Sequence, residues 1–134
     1  MTRIKDKIIQ MNEFLAELKE IAPTNIDEYK SSLEKKAACE RYVEKIVEAA
    51  TDLAFLIVKI KKFRLPEDDA DAFNILSENN AINTSLAARL KAAKGMKNVI
   101  AHQYGKINDE IVFEAVSESL EKDMREFIDA VKDI

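Results

Sequence analysis

Glycine and proline are scarce in this chain, which has two of each among its 134 residues. Folds built from many β-strands need frequent turns, and turns draw heavily on these two residue types. Their scarcity argues against an all-β fold and favours a few long helices. The length suits a single domain with its own core. We therefore expect residues 1–134 to form one helical domain.

Cysteine, histidine and long apolar runs are also limited. With one cysteine and one histidine, the chain has no internal disulfide and no residue cluster for structural zinc. We expect Cys39 to be a small buried or half-buried apolar side chain in a protein of the reducing cytoplasm. The apolar run at residues 53–58 is far shorter than the roughly 20 residues of a spanning helix. We therefore predict a cytoplasmic protein that does not enter a membrane, and we assign it no cofactor.

Acidic residues are missing from one stretch of an otherwise acidic chain. The net charge is −4, but residues 79–108 contain no Asp or Glu. The basic residues in this stretch are Arg89, Lys91, Lys94, Lys97 and Lys106. Such a stretch is either a solvated helix face or a local site for phosphate or an acidic partner.

Apolar residues recur at helical spacing from the start of the chain. A first helix is expected from about Thr2 to Ala22, where Pro23 ends it. Residues 26–64 are also helical in pattern, but one helix of that length would measure about 60 Å. Because that is too long for a domain of this size, we expect a break or bend near residues 31–36.

The second half predicts three more helices. Pro66 is expected in the first turn of a short helix whose core contacts are Ala72, Phe73 and Leu76. Asn83 or Thr84 caps the next helix, and Gly105 ends it. Asn108 caps the last helix, whose apolar face is expected to contain Ile111, Val112, Ala115, Leu120, Met124, Phe127, Ile128 and Val131. The pattern predicts an all-α, up-and-down antiparallel bundle of about five to six helices.

The only histidine, His102, lies in the segment GMKNVIAHQYGKINDE. Imidazole exchanges protons readily near neutral pH, although a lone histidine is more often structural. Asn98 precedes His102 by four residues, so both lie on one helix face. Lys97 lies about 140° from His102 on an ideal helix. These two side chains can therefore meet only through side-chain reach, a local bend or a partner subunit.

Lys97 also interrupts an apolar stripe. A cation on such a stripe needs a partner or a cleft, unless its stem packs at the core edge while its ammonium reaches water. The other members of this heptad-like stripe are Leu86, Leu90, Ala93, Ile100 and Tyr104.

The stretch LSENNAINTSLAARLKAAKGMKNVIAHQYGKINDEIVFEAV resembles the C-terminal half of the HepT-like branch of the HEPN superfamily. The upstream segment ERYVEKIVEAATDLAFLI is similar to a long helix of that family, whose "EA" pair appears here as Glu48-Ala49. The family hallmark is Arg, four to six residues, then His, often followed by x-Tyr. His102 and Tyr104 match this motif, and Asn98 matches its common polar neighbour. Lys97 replaces the arginine, which keeps the charge but loses the planar fork that binds phosphate bidentately.

The resemblance implies an HEPN-like bundle that acts as the toxin of a type VII toxin–antitoxin system. The resemblance implies that this toxin is a metal-independent endoribonuclease. In its reaction a ribose 2′-hydroxyl attacks the adjacent phosphate, which leaves a cyclic phosphate on the RNA. His102 would move protons and Lys97 would stabilise charge on phosphorus, with Asn98 in support. The candidate RNA-binding residues are Arg89, Lys91, Lys94 and Lys106.

The resemblance also implies two partners. A homodimer would supply two copies of His102 to a shared cleft, which answers the need for both a proton donor and a proton acceptor. A nucleotidyltransferase antitoxin would add AMP to Tyr104, placing negative charge and bulk beside His102 and blocking an RNA phosphate.

Two alternatives stay open. Lys97 in place of the motif arginine favours an HEPN protein whose nuclease activity is weak or lost and which acts as a nucleotidyltransferase-binding partner. A third interpretation is a plain helical adaptor in which His102 is structural and Tyr104 is an aromatic residue at the core edge.

Overall fold

The chain is a helical bundle in a computed structural model that describes residues 2–102 and 107–134, and these ranges contain no β-strand. A π-helical segment, Ala115–Ser119, joins the sixth and seventh helical segments into one continuous last helix. The described residues thus contain six helices, which confirms the predicted all-α fold. The segments are α1 Thr2–Ile21, α2 Ile26–Ser31, α3 Leu33–Ile60, α4 Asp69–Glu78, α5 Thr84–His102, α6 Asp109–Glu114 and α7 Leu120–Val131.

Side-chain caps set several helix ends where the sequence predicts them. The Asn25 side chain accepts a hydrogen bond from the Glu28 N–H at 2.8 Å and starts α2. The break expected near residues 31–36 lies at Ser32, whose hydroxyl accepts from the Lys35 N–H and starts α3. Each cap satisfies an N–H group that the first helical turn leaves without a partner. Caps of the same kind, also predicted, are Asn83 at α5 and Asn108 at α6.

The prediction for Pro66 is wrong. Helix α4 begins at Asp69, and the Asp68 carboxylate caps it by accepting from the Asp71 N–H at 2.8 Å. Pro66 therefore precedes the helix instead of lying in its first turn. The side chain of a capping aspartate accepts a hydrogen bond from the first turn, whereas a proline side chain has no acceptor. The helix therefore starts directly after Asp68.

The core forms around α3, which packs against α1, α4 and α5. Its apolar stripe, which includes Val43, Ile46, Leu53 and Ile57, is buried, and Cys39 is fully buried. The predicted contacts of α4 with the core are also buried. Ile111 is a correction, because it is 59% exposed at an open groove between α5 and α6, while the neighbouring Val112 is buried. None of the described helices has the length and apolar character needed to cross a bilayer.

The last helix runs antiparallel to α5. Arg89, near the start of α5, binds Asp123 in α7, whereas Ile100, near its end, lines a depression with Ile107. The start of the last helix also lies beside the start of α3, because Asp109 is 3.2 Å from an α3 lysine. The C-terminal end of α5 therefore lies at the end of the bundle where α3 begins.

Tyr29 is a buried polar side chain in this same end of the bundle. Its hydroxyl has no hydrogen-bond partner among the described residues, and its ring packs against Phe113 with 5.7 Å between centroids. Burial raises the pKa of the Tyr29 phenol well above its usual value. A buried donor without a partner is destabilising, because water no longer solvates it.

We expect Tyr29→Phe to raise the free energy of unfolding by about 1 kcal/mol, because it removes this buried hydroxyl and keeps the ring. Urea denaturation measures the change. Tyr42→Phe is the matched control, since the Tyr42 hydroxyl donates to Glu17 at 3.0 Å and its removal should not stabilise. A clear loss of stability in Tyr29→Phe would mean that the hydroxyl makes a favourable contact.

Candidate functional site

Helix α5 carries most of the predicted site residues. It is α-helical without interruption from Thr84 to His102. Asn98 and His102 are four residues apart on one face, and Lys97 lies about 140° around the axis from His102. Within one copy, these side chains can meet only through their own reach.

His102 is the last residue of α5, and it is exposed. An RNA phosphate arriving from solvent could reach the imidazole. Asn98 is half-buried one turn earlier. Lys91, also half-buried, lies about 20° from Asn98 around the helix. The face that carries His102 therefore also carries an amide and a cation.

Lys97 lies on the other side of α5, toward the core. It is half-buried between the buried Ile100 and the half-buried Ala93. Among the residues that the structure describes, no carboxylate lies within 4.0 Å of the Lys97 ammonium. Its charge is therefore not neutralised by a described ion pair, and this suits either a phosphate or contact with water at the core edge.

Arg89 makes contacts that an RNA-binding role would have to break. Its guanidinium donates to Asp123 at 2.6 Å and to both carboxylate oxygens of Glu126 at 3.0 and 3.1 Å. The Glu126 and Asp123 carboxylates raise the pKa of the Arg89 guanidinium above its usual value. In this arrangement Arg89 holds α5 against α7.

Lys94 is also held within the fold. Its side chain is 12% exposed, and its ammonium lies 3.1 Å from Asp69 at the start of α4. The positive stretch therefore divides into Arg89 and Lys94, which bind carboxylates, and Lys91 and Lys97, which have no described ion pair. The predicted modification site Tyr104 and the predicted RNA-binding Lys106 lie outside the described residues, as does Gly105.

Sequence reasoning missed an apolar groove beside the His102 face. Two adjoining depressions between α5 and the last helix, of about 310 and 210 Å³, share Met96 and Ile111. Gly95 lines the second of them and is exposed, and a methyl group there would meet nothing within 4 Å. Glycine inside a helix costs about 1 kcal/mol relative to alanine. The mid-helix position of Gly95 was the sequence signal for this groove, and the structure adds that no neighbour within the chain requires a glycine there.

No group of three or more His, Cys, Asp or Glu side chains is placed to hold a metal ion in the part of the chain that the structure covers. The one histidine is on α5, and the two carboxylates near Arg89 are engaged by its guanidinium.

Comparison with known proteins agrees with the predicted resemblance. Residues 11–131 match the family model described as Ribonuclease HepT-like. The mRNA nuclease HepT of Shewanella oneidensis is 33% identical over 90 residues, which are 67% of each chain. The tRNA nuclease HepT of Aphanizomenon flos-aquae is 28% identical over 127 residues, or 91% of this chain and 86% of that protein.

The fold is also similar to a solved structure. The tri-AMPylated HEPN toxin of Shewanella oneidensis, in complex with MNT antitoxin, superposes with a TM-score of 0.91 at 26% identity. The superposition covers 98% of this chain and 97% of that one. The family match spans nearly the whole chain, and the fold agrees over the same length. This chain therefore belongs to the ribonuclease HepT-like family.

Proposed function

We propose that this chain is the toxin of a toxin–antitoxin pair and that it cleaves RNA at a cleft formed by two copies. The observation that carries the proposal is the exposed His102 at the end of α5, on one face with Asn98, in a chain of this family. The named activities of the two HepT relatives, an mRNA nuclease and a tRNA nuclease, support RNA as the substrate.

The proposed reaction needs only proton transfer and charge stabilisation. One His102 imidazole takes the proton of a ribose 2′-hydroxyl, whose oxygen attacks the adjacent phosphorus. The bond to the 5′-oxygen breaks, and the second His102 gives that oxygen a proton. The products are a 2′,3′-cyclic phosphate and a free 5′-hydroxyl. Lys97 offsets the charge that develops on the phosphate oxygens.

The apolar groove supports a two-copy arrangement. Gly95 and His102 are seven residues apart and lie about 20° from each other around α5. A second copy that crosses closely at Gly95 would therefore face the same side of the helix as His102, about two turns away. Met96, Val99 and Ile111 supply apolar surface for such a contact. Two-fold pairing on this face would bring both imidazoles to one side of the interface.

The reaction is tested by incubating the purified chain with cellular RNA in the presence of EDTA and mapping the new ends. We expect cleavage that leaves cyclic phosphates, because no step uses a metal ion. RNA that stays intact, or cleavage that EDTA abolishes, would contradict the proposed mechanism.

Lys97→Arg is expected to increase the cleavage rate about tenfold. A guanidinium donates two parallel hydrogen bonds to phosphate oxygens, whereas an ammonium acts as a point charge. Initial rates on a fixed RNA substrate measure the effect. Lys122→Arg is the matched control, because it makes the same change on the exposed surface of α7, outside the proposed site, and should leave the rate almost unchanged. Equal gains from both substitutions would show that added basicity alone is responsible.

AMP transfer to Tyr104 is the proposed means of neutralisation. The solved complex of an AMPylated toxin with its MNT antitoxin supports a nucleotidyltransferase as the partner. Co-expression with such an antitoxin should increase the mass of the chain by at least one AMP group and abolish cleavage, because the added phosphate repels RNA. Intact-mass spectrometry checks this result. In the Tyr104→Phe variant, the peptide that contains residue 104 should carry no AMP. An unmodified Tyr104 in the co-expressed wild-type chain would contradict the proposal.

A second candidate function rests on Lys97 itself. If the point charge stabilises the transition state too weakly, the chain acts mainly as a binding partner of the nucleotidyltransferase. The cleavage assay separates the two functions, because this second function predicts a stable complex with the antitoxin and no measurable RNA cleavage by the free chain.

A further inference from the structure

A second groove lies at the end of the bundle opposite His102. It is formed by the first turns of α1, the last turns of α3 and the connecting segment of residues 61–68, and its volume is about 860 Å³. On α3, Lys36 binds Asp109 near the His102 end, whereas Lys59 lines this groove. About 35 Å of helix separates these two lysines. The groove is therefore remote from the proposed cleavage site.

Apolar side chains form much of the groove, and one of them is strongly exposed. Phe55 is 36% exposed on α3, and Leu65 is 85% exposed in the segment after it. Leu56, Phe63 and Pro66 extend the same surface. A single exposed apolar residue is ordinary, but a cluster of them in a concave site is typical of a binding surface.

The exposure of Leu65 follows from contacts on both sides of it. The Phe63 N–H donates to a carbonyl near the end of α3 at 3.0 Å. Arg64 donates two hydrogen bonds to the Asp71 carboxylate, at 2.8 and 3.0 Å, and the Glu67 N–H donates to the same carboxylate at 3.0 Å. Because its neighbours are held in this way, Leu65 is presented to solvent by a fixed backbone.

The rim of the groove is basic on a chain whose net charge is −4. The cations are Arg3, Lys7, Lys59 and Lys62, against one carboxylate, Asp52, so the rim has an excess of three positive charges. Asp52 lies 3.4 Å from Lys7. For the other three cations, the described part of the chain places no carboxylate within 4.0 Å. Such a rim attracts an acidic partner.

We infer that this groove docks an acidic amphipathic segment of a partner protein. Its apolar side chains would contact Phe55 and Leu65, and its carboxylates would pair with Lys59 and Lys62. The volume lies within the roughly 300–1,000 Å³ that is usual for binding pockets, which is enough for the apolar side chains of a short segment. Protein is favoured over RNA because the most exposed apolar side chain of the groove is the aliphatic Leu65, which is 85% exposed, whereas Phe55 is 36% exposed and bases stack on well-exposed aromatic faces.

The experiment is selection from a random peptide library displayed on phage, with the full chain as the target and the Leu65→Ser variant as counter-target. We expect enrichment of peptides that combine Asp or Glu with Leu or Phe. The enriched peptide should bind the wild-type chain, and its affinity should fall at least about tenfold with Leu65→Ser and with the double variant Lys59→Glu/Lys62→Glu. Leu33→Ser is the matched control, because Leu33 is 81% exposed at the other end of α3.

Three results would overturn the inference. The first is that the wild-type chain enriches no peptides relative to Leu65→Ser. The second is that the enriched peptides contain no acidic residues. The third is that Leu33→Ser lowers the peptide affinity as much as Leu65→Ser does. A short single-stranded RNA that displaces the peptide, or self-association of the chain that Leu65→Ser abolishes, would assign the groove to a different occupant. Leu65→Ser should cleave RNA at the wild-type rate, so peptide binding and cleavage can fail independently.

Discussion

His102→Ala should lower the RNA cleavage rate by a factor of about 100 to 10,000, the usual contribution of a positioned acid or base. In the proposed reaction each cleavage uses two imidazoles, one from each copy, and the variant removes both. Because His102 is exposed at the end of α5, its removal leaves no cavity in the core. The thermal midpoint should therefore change little while activity is lost.

The measurement is the initial rate of cleavage of one labelled RNA, with circular dichroism to verify the fold. Lys122→Ala, an exposed change on α7, is the matched control and should keep the wild-type rate. If His102→Ala retained full activity, the imidazole would have no part in the reaction. Lys97 and Asn98 would then be the remaining candidate residues for the reaction on α5. If it lost both activity and helix content, the residue would be structural.

Phe73→Ala should lower the free energy of unfolding by about 3–5 kcal/mol, the usual result of truncating a buried phenylalanine. The Phe73 side chain is fully buried on α4 and packs edge-on against Phe127 of α7, with 6.0 Å between ring centroids. Removing it leaves a cavity where α4 and α7 meet. Domains of this size usually have a total stability of about 5–15 kcal/mol, so one change removes a large fraction.

Urea denaturation followed by circular dichroism measures this loss. Phe55→Ala is the matched control, because Phe55 is 36% exposed and its truncation should cost no more than about 1 kcal/mol. Similar losses in the two variants would contradict the difference in packing. A small loss in Phe73→Ala alone would mean that the cavity collapses around the missing ring.

The helices could be predicted because their signals are local. Apolar spacing marks residues 26–64 as helical, and the caps at Asn83 and Asn108 depend on residues within one helical turn. Two features did not follow from such signals. Pro66 and Asp68 are both suitable at a helix start, so local spacing alone did not select the Asp68 cap that the structure shows. The π-helical segment depends on packing, since nothing in its composition interrupts the α pattern.

The site was predictable as a set of residues on α5 but not as a set of contacts. The motif identifies Lys97, Asn98 and His102, and an unbroken helix then sets the angles between them. The ion pairs of Arg89 and Lys94 could not be foreseen, because their carboxylates come from distant parts of the chain. How two copies pair is not a property of one chain's local pattern, so the shared cleft stays a prediction.

The most direct test of the two-copy site is a subunit-mixing experiment. Wild-type and His102→Ala chains are unfolded together, refolded at varied ratios and assayed with RNA in excess. If each cleavage needs His102 from both copies, only the wild-type pairs are active, and activity follows the square of the wild-type fraction. At equal amounts of the two chains it should be about one quarter of the all-wild-type value. A linear dependence, with about one half of the activity at equal amounts, would contradict the shared cleft and assign each site to a single copy.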